Sequence, residues 1–307
     1  MSLEQRVANF DQMARRFPAT QRPSPLIAAY RPSAERFRQI QVAAATYMSK
    51  CLGEDRFVLE EDELLAEFQK KAGAIPNITP NGMIVPKRHL ILEYNALVRA
   101  FVNIINELNI QPFISSWHIP LNLRIKYGTV NEENLKRHHP TEDIHTDSWA
   151  GESAESVTTM LFIFGDVARN HVRYYDPPAH FREEWLGALP TYRDGADIAS
   201  QYRLLDFVPQ KGDLVLADFA TLHSSTVLPA AGCRVSIDTT FALERGSQGS
   251  AAEKIHPWRV NERATHDVLN HLGQSHLFVF PDSIHDRVDS QGGFKHPTNL
   301  KVVDLAE

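Results

Sequence analysis

Cysteine is nearly absent from this chain. Cys51 and Cys233 are its only two in 307 residues, which leaves no disulfide framework and no zinc-type spacing and predicts a reducing, cytoplasmic setting. No apolar run approaches the length of a membrane span. Met1 to Phe10 carries Glu4 and Arg6 and lacks the apolar stretch of a secretory leader. An excess of positive charge is missing too, since 32 Lys and Arg stand against 38 Asp and Glu. The resulting net charge of −6 argues against a general affinity for nucleic acid or an anionic membrane. No repeat, low-complexity tract or Gly/Ser linker divides the chain, so residues 1–307 are expected to form one domain with ample length for a buried core.

What is present is ordinary for a soluble globular protein, 43% hydrophobic and 23% charged. Residues 1–112 read as a mostly helical flank. A helix from Leu3 stops before Pro18, and Ser33 caps a run to about Leu52 whose Phe37, Ile40, Val42, Ala45 and Met48 share a face. A shorter helix covers about Glu60 to Ala72, and Ile75 to Pro86 reads as a loop. From Lys87 to Ile110, Leu90, Tyr94, Leu97, Phe101, Ile104, Ile105 and Leu108 follow helical spacing. Residues 113–243 then form a mainly β core. Strands are expected at Phe113–Gly128, Val157–Gly165, Asn170–Asp176, Leu204–Pro209, Asp213–Asp218, Ser225–Leu228 and Arg234–Leu243. An irregular or helical insert at about 179–203 lies where specificity often resides. The extension 244–307 contains a small polar loop, Glu244 to Glu253, and a helix over Pro257 to Leu272.

The chemistry is concentrated in Ile144-His145-Thr146-Asp147. In an extended strand the side chains at i and i+2 leave the same face, so His145 and Asp147 can meet one metal while Thr146 points away. A lone His-x-Asp carries little weight in a chain with 14 His. Context strengthens it. Lys211 to His223 reads as a turn, an apolar strand and a ligand-capable residue at its end. Arg234 follows, with Ser236 on the same strand face, and a guanidinium fork beside a hydroxyl suits a carboxylate held at fixed distance from a metal. Two imidazoles and one carboxylate on one face of Fe(II) leave room opposite for a chelating co-substrate and O₂.

Together, His145, Asp147, His223, Arg234 and Ser236 resemble the pattern of the Fe(II)/2-oxoglutarate-dependent oxygenase superfamily, over roughly Trp117 to Leu243. The resemblance implies a double-stranded β-helix, the cupin-like jelly roll, here buttressed by the N-terminal helices. It implies Fe(II) on His145, Asp147 and His223, 2-oxoglutarate anchored by Arg234 and Ser236, and oxidation of a substrate C–H bond with release of succinate and CO₂. Family members that halogenate carry a small residue in place of the carboxylate, so the retained Asp147 disfavours halogenation and makes hydroxylation the default expectation, with desaturation and ring closure, which begin from the same hydrogen abstraction, left open. A cupin-like enzyme that does not use 2-oxoglutarate, a non-catalytic binding protein of the same fold and a zinc hydrolase would share the ligands. Arg234 with Ser236 argues against the first, intact ligands against the second, and the lack of a zincin-type glutamate against the third.

Further candidates are less sharply marked. Thr158 and Thr159 are the polar side chains of an apolar strand, and Thr159 is the preferred contact for the co-substrate. Asn122, Arg124 and Lys126 alternate with Leu123, Ile125 and Tyr127. A solvated face for Arg124 and Lys126 is favoured, because such cations are rarely buried unpaired. If the face turns inward they become ligands for substrate or co-substrate carboxylates, and Tyr127 is a candidate in the opposite case. Trp149, a two-residue step beyond Asp147, either walls the substrate pocket or packs in the core. Thr129 to Asp143 is polar and placed to act as a lid. His138 and His139 are read as surface residues and His171 as structural. The substrate is expected to be a small polar metabolite or natural-product intermediate. Apolar residues left on the outer faces of the flanking helices would indicate a homodimer.

Overall fold

The computed structural model describes residues 1–53, 60–71, 78–79, 81–84, 86–130, 132–243 and 263–272, together with the backbone of 276–279 and 301–304. The loop expected at 244–253 lies outside the described residues, as do 75–77, 80 and 85 of the loop expected at 75–86, the start of the helix expected at 257–272, and His256, His285 and His296.

The flank contains four main helices, α1 (Leu3–Ala14), α2 (Ala34–Cys51), α3 (Glu61–Lys71) and α4 (Ile91–Leu108). Local chemistry explains their ends. Ser2 and Gln5 form a reciprocal capping box on α1, and the Ser33 hydroxyl accepts from the Arg36 amide at the start of α2. Asn109 ends α4 in the left-handed region at φ 55°. Leu97, Val98, Phe101, Ile104, Ile105 and Leu108 of α4 are all buried, as their spacing predicts.

One part of the flank departs from the helical expectation. Residues Gln21–Ser24 (β1) and Ile27–Tyr30 (β2) form a hairpin, and β2 adds to the main sheet. Pro23 and Pro25 prevent a helix there. Ala28 and Tyr30 pack in the large core beneath the helices, whereas Ile27 and Ala29 pack in a second core between the sheets.

The β region consists of β3 (Ile114–His118), β4 (Asn122–Lys126), β5 (Ser156–Gly165), β6 (Asn170–Asp176), β7 (Arg203–Leu204), β8 (Leu214–Asp218), β9 (Leu222–Val227), β10 (Arg234–Leu243) and β11 (Arg263–Ala264). Short helices α5 (Glu132–Leu135), α6 (Ala196–Ala199) and α7 (His266–Asn270) interrupt it, and a separate pair, β12 (His276–Val279) and β13 (Lys301–Asp304), follows. The main sheet runs β1-β2-β8-β5-β10-β3-β11, with β4 also paired to β10. A smaller sheet runs β7-β6-β9. This is the jelly roll, helices on the outer face of the large sheet and the small sheet on its inner face.

Alternation sorts the side chains. Val235, Ile237 and Phe241 of β10 and Leu161 and Ile163 of β5 belong to the helix-facing core, while Met160, Phe162, Val172 and Tyr174 lie in the core between the sheets. Arg234, Ser236 and Asp238 therefore project inward. Three expected elements are corrected. Phe113–Gly128 is two strands rather than one, broken at Pro120, which has no N–H to donate. Leu204–Pro209 is strand only at its first residue, because Leu205 and Phe207 turn down to fill the inter-sheet core. Of the helix expected to end at Leu272, only His266–Asn270 is helical among the described residues, with the Thr265 hydroxyl capping it.

Candidate metal centre

His145 and His223 are brought together by the backbone. Each donates its amide N–H to the other's carbonyl, at 2.9 and 2.8 Å, which extends the small sheet by one bridge and sets the two rings 4.3 Å apart. Thr146 is extended, and at Asp147 the chain tightens into a 3₁₀ turn ending at Gly151 with φ 95°. Asp147 Oδ1 then lies 3.9 Å from Nε2 of both histidines. One ligand atom from each of the three residues falls within 4.8 Å of the other two, and this is the one such group found among the described residues. That spacing suits a single ion bound by two imidazoles and a carboxylate.

The surroundings prepare these ligands. His145 Nδ1 donates to the Asp143 carbonyl at 2.7 Å, which leaves the Nε2 lone pair for a metal. Burial, and then His223, hold the His145 imidazole well below its usual pKa, and burial lowers His223 as well. Thr158 donates to Asp147 Oδ2 at 3.2 Å and orients the carboxylate.

Deeper on the same inner face lies Arg234, fully buried. Its Nη1 touches the Met160 sulfur at 3.8 Å and its guanidinium sits over the Phe162 ring, but among the described residues Nε and Nη2 have no partner, and neither has the buried hydroxyl of Ser236. Burial, then Arg124, pulls the Arg234 guanidinium down to about 10. A buried cation beside an unsatisfied hydroxyl is a costly arrangement unless an anion joins it.

The β4 face turns inward, contrary to the solvated reading. The register places Arg124 beside Ser236 and Lys126 beside Arg234. Arg124 grips Asp238 with two hydrogen bonds of 2.8 and 2.9 Å, and Asn122 donates to the same carboxylate at 2.8 Å. Pairing makes this burial tolerable. Lys126 donates to the Thr141 hydroxyl at 2.7 Å and to Glu142 at 2.8 Å, yet burial still pulls it down to about 8. Tyr127 consequently faces the helix-side core.

Two other candidates are also corrected. Thr159 is on the outer face of β5 and donates to the Thr239 carbonyl, so its neighbour Thr158 is the threonine that reaches the triad. Trp149 does not continue a strand from Asp147, because the 3₁₀ turn rotates it away. Its indole N–H donates to the Trp185 carbonyl, and its ring lies so close to Gly195 that a Cβ there would clash at 2.4 Å. The core reading holds for it.

A cavity of about 320 Å³ opens beside Asp147 and Thr158 and is lined also by His118, Asn122, Arg124, Arg137, His139, Glu152, Tyr192, Asp238 and Thr240. The segment expected as a lid supplies Arg137, His139 and Thr141, and the 179–203 insert supplies Tyr192. His139 is thus a wall residue, while His138 is exposed and His171 is structural, its Nδ1 donating to the Ala168 carbonyl. Tyr192, Asp238, His118 and Glu152 escaped the sequence reading. Asp238 alone left a signal, since it continues the inward alternation of Arg234 and Ser236.

No family model matches the chain, and no curated protein matches it. Among solved structures it is similar to the non-heme alpha ketoglutarate dependent epimerase SnoN from nogalamycin biosynthesis, at 10% identity over 78% of this chain and 81% of that one, TM-score 0.40. It is similar to the carbocyclase SnoK from the same biosynthesis, at 15% identity over 84% and 92%, TM-score 0.39. It is also similar to EctD from S. alaskensis with 2-oxoglutarate and 5-hydroxyectoine, at 14% identity over 85% and 83%, TM-score 0.38.

Proposed function

We propose that the chain, acting as one domain, is an Fe(II)- and 2-oxoglutarate-dependent dioxygenase that hydroxylates a C–H bond of a small polar molecule. The observation that carries this reading is the orphaned Arg234 with Ser236 on the inner face that also bears the metal triad. A cupin-like enzyme without 2-oxoglutarate would leave that buried charge with nothing to bind.

His145, Asp147 and His223 would hold Fe(II), and Arg234 with Ser236 would take the distal carboxylate of the co-substrate. Once bound, iron and 2-oxoglutarate supply O₂ activation coupled to oxidative decarboxylation, which yields succinate and CO₂ and oxidises the substrate. The chain's own residues set the stage. Asp143 and Thr158 orient two of the ligands, and Met160, Phe162 and Tyr174 keep the anchor dry, which strengthens its hold on a carboxylate. Among the described residues no helix is long and apolar enough to cross a membrane.

Anaerobic titration of the Fe(II)-loaded protein with 2-oxoglutarate tests the reading. A weak visible charge-transfer band that appears in the wild type and is lost in Arg234→Ala is the expected result. An iron-loaded protein that gives no band overturns it in favour of the cupin-like or non-catalytic alternative.

A further inference from the structure

The outer surface of the helical flank carries a feature that the metal centre does not use. α2 and α4 pack antiparallel: Ser33 at the start of α2 bonds Glu107 near the end of α4, and Tyr47 near the end of α2 meets Tyr94 near the start of α4, ring centroids 5.9 Å apart. Between their outward faces lies a groove of about 650 Å³. Val42, Ala43 and Thr46 of α2 and Ala96 and Ala100 of α4 form its floor. The Thr46 hydroxyl donates to the Val42 carbonyl at 2.8 Å, so its polarity is spent on its own helix and the floor stays apolar. Leu92 stands at one end and is 66% exposed, more than any other large hydrophobic side chain among the described residues. Single apolar residues on a surface need no explanation, but an apolar floor with a leucine standing at its rim favours a cover.

The charges of the groove sit at its two ends. Antiparallel packing puts Arg38, in the second turn of α2, towards Asn103, while Glu93, in the first turn of α4, lies at the opposite end beside Leu92. The rise from Glu93 to Asn103 is about 15 Å at 1.5 Å per residue, which keeps Arg38 and Glu93 from meeting within one molecule. Neither makes an ion pair among the described residues. Arg99, the other cation of the wall, is directed sideways to the carbonyls of Asn270 and Leu272.

An apolar floor with a cation at one end and an anion at the other is complementary to itself. A two-fold axis through the middle of the groove, perpendicular to the line from Arg38 to Glu93, exchanges the two ends. Each Arg38 then meets the partner subunit's Glu93, and Leu92 beside that carboxylate covers the aliphatic stem of the arginine. Small side chains at Ala43, Ala96 and Ala100 let the facing helices approach to packing distance. An anionic membrane or a segment charged with one sign throughout would instead set like charges together at one end.

We propose that the chain forms a two-fold symmetric homodimer through the α2–α4 groove, in which Arg38 of each subunit pairs with Glu93 of the other across the apolar floor. This surface lies on the outer side of the main sheet, opposite the metal triad, so the proposal stands independently of the oxygenase reading.

The test is sedimentation equilibrium of the full chain, with circular dichroism to check the fold of each variant. The wild type should move from the mass of one chain towards that of two as concentration rises. Leu92→Asp should weaken association roughly a hundredfold, and Arg38→Glu or Glu93→Arg alone roughly tenfold or more. Mixing Arg38→Glu with Glu93→Arg should restore dimers, because one subunit then presents two carboxylates where the other presents two guanidiniums. A wild type that stays monomeric up to about 100 μM overturns the proposal, and that is the result expected if a segment of the same chain fills the groove. A dimer left intact by Leu92→Asp lies elsewhere and overturns it too, as does a mixture of the folded charge variants that associates no better than either alone.

Discussion

Tyr192 lies face to face with His145, the ring centroids 4.1 Å apart and the planes 14° from parallel. His139 closes the edge of the same tyrosine at 4.7 Å, so the 179–203 insert and the 129–143 segment meet on a candidate metal ligand. The stack restrains the imidazole that must present Nε2. Tyr192→Ala is expected to weaken Fe(II) binding roughly tenfold, as loss of a ligand-orienting contact does, and Tyr192→Phe to preserve it. Anaerobic metal titration decides; equal affinities in all three proteins would remove any orienting role.

Arg234→Met removes a buried charge whose Nε and Nη2 have no hydrogen-bond partner among the described residues. Its thermal midpoint should therefore equal or exceed the wild-type value. Half-saturation by 2-oxoglutarate should rise roughly tenfold to a hundredfold, corresponding to charged hydrogen bonds of about 1.5–3 kcal/mol. A lowered midpoint with an unchanged co-substrate requirement would make Arg234 structural and place the anchor elsewhere.

Asp238 gives a pH dependence with a definite sign. Burial alone would raise its carboxyl, but Arg124 and the Asn122 amide hold it below the usual carboxylate range. A folded value below the unfolded one stabilises the protein above the unfolded carboxylate pKa, and that contribution is lost as pH falls through the folded value. Arg124→Leu removes the depressing charge and leaves a buried carboxylate, at a cost of about 3–5 kcal/mol near neutral pH. The acid unfolding transition, followed by circular dichroism, should move to higher pH. A transition at the wild-type pH would mean that the pair contributes nothing net.

Lys126 links the anchor region to the lid segment through Thr141 and Glu142. The same segment is pinned to β9, since the Ser225 amide donates to the Thr141 carbonyl at 2.7 Å. In Lys126→Met, amide hydrogen exchange of residues 141–143 should quicken while that of β5 and β10 stays slow. Uniform exchange across all three would show that the lysine does not tether the segment.

Arg6 of α1 is fully buried and bonded to Asp218 at 2.7 Å, to Glu183 of the insert at 2.8 and 3.0 Å, and to the Ala154 carbonyl at 2.9 Å. It clasps helix, barrel and insert together. Arg6→Ala strands Asp218 without its cation and should cost about 3–5 kcal/mol, seen as a lowered denaturant midpoint at neutral pH. An unchanged midpoint would mean that the clasp is dispensable.

The candidate ligand set could be picked out because its signals are local. A two-residue step through an extended Thr146 puts His145 and Asp147 on one side whatever surrounds them, and a strand such as β10 carries its inward alternation in its own residues. Helix caps at Ser33 and the apolar spacing of α4 are local in the same sense. Tertiary structure alone decided which way each pattern faced. The cations of β4 read as solvated until Asp238 and Glu142, distant in sequence, supplied the partners that allow burial. Thr158 and Thr159 are equivalent as neighbours on a strand, and only the placement of the helices makes one the inside residue. Tyr192 sits in an irregular insert with no periodicity, so its stack on His145 exists only once the chain has folded back. The N-terminal hairpin was hidden because Ile27 to Tyr30 is apolar on both faces, and such a short run shows its strand character only when β8 pairs with it.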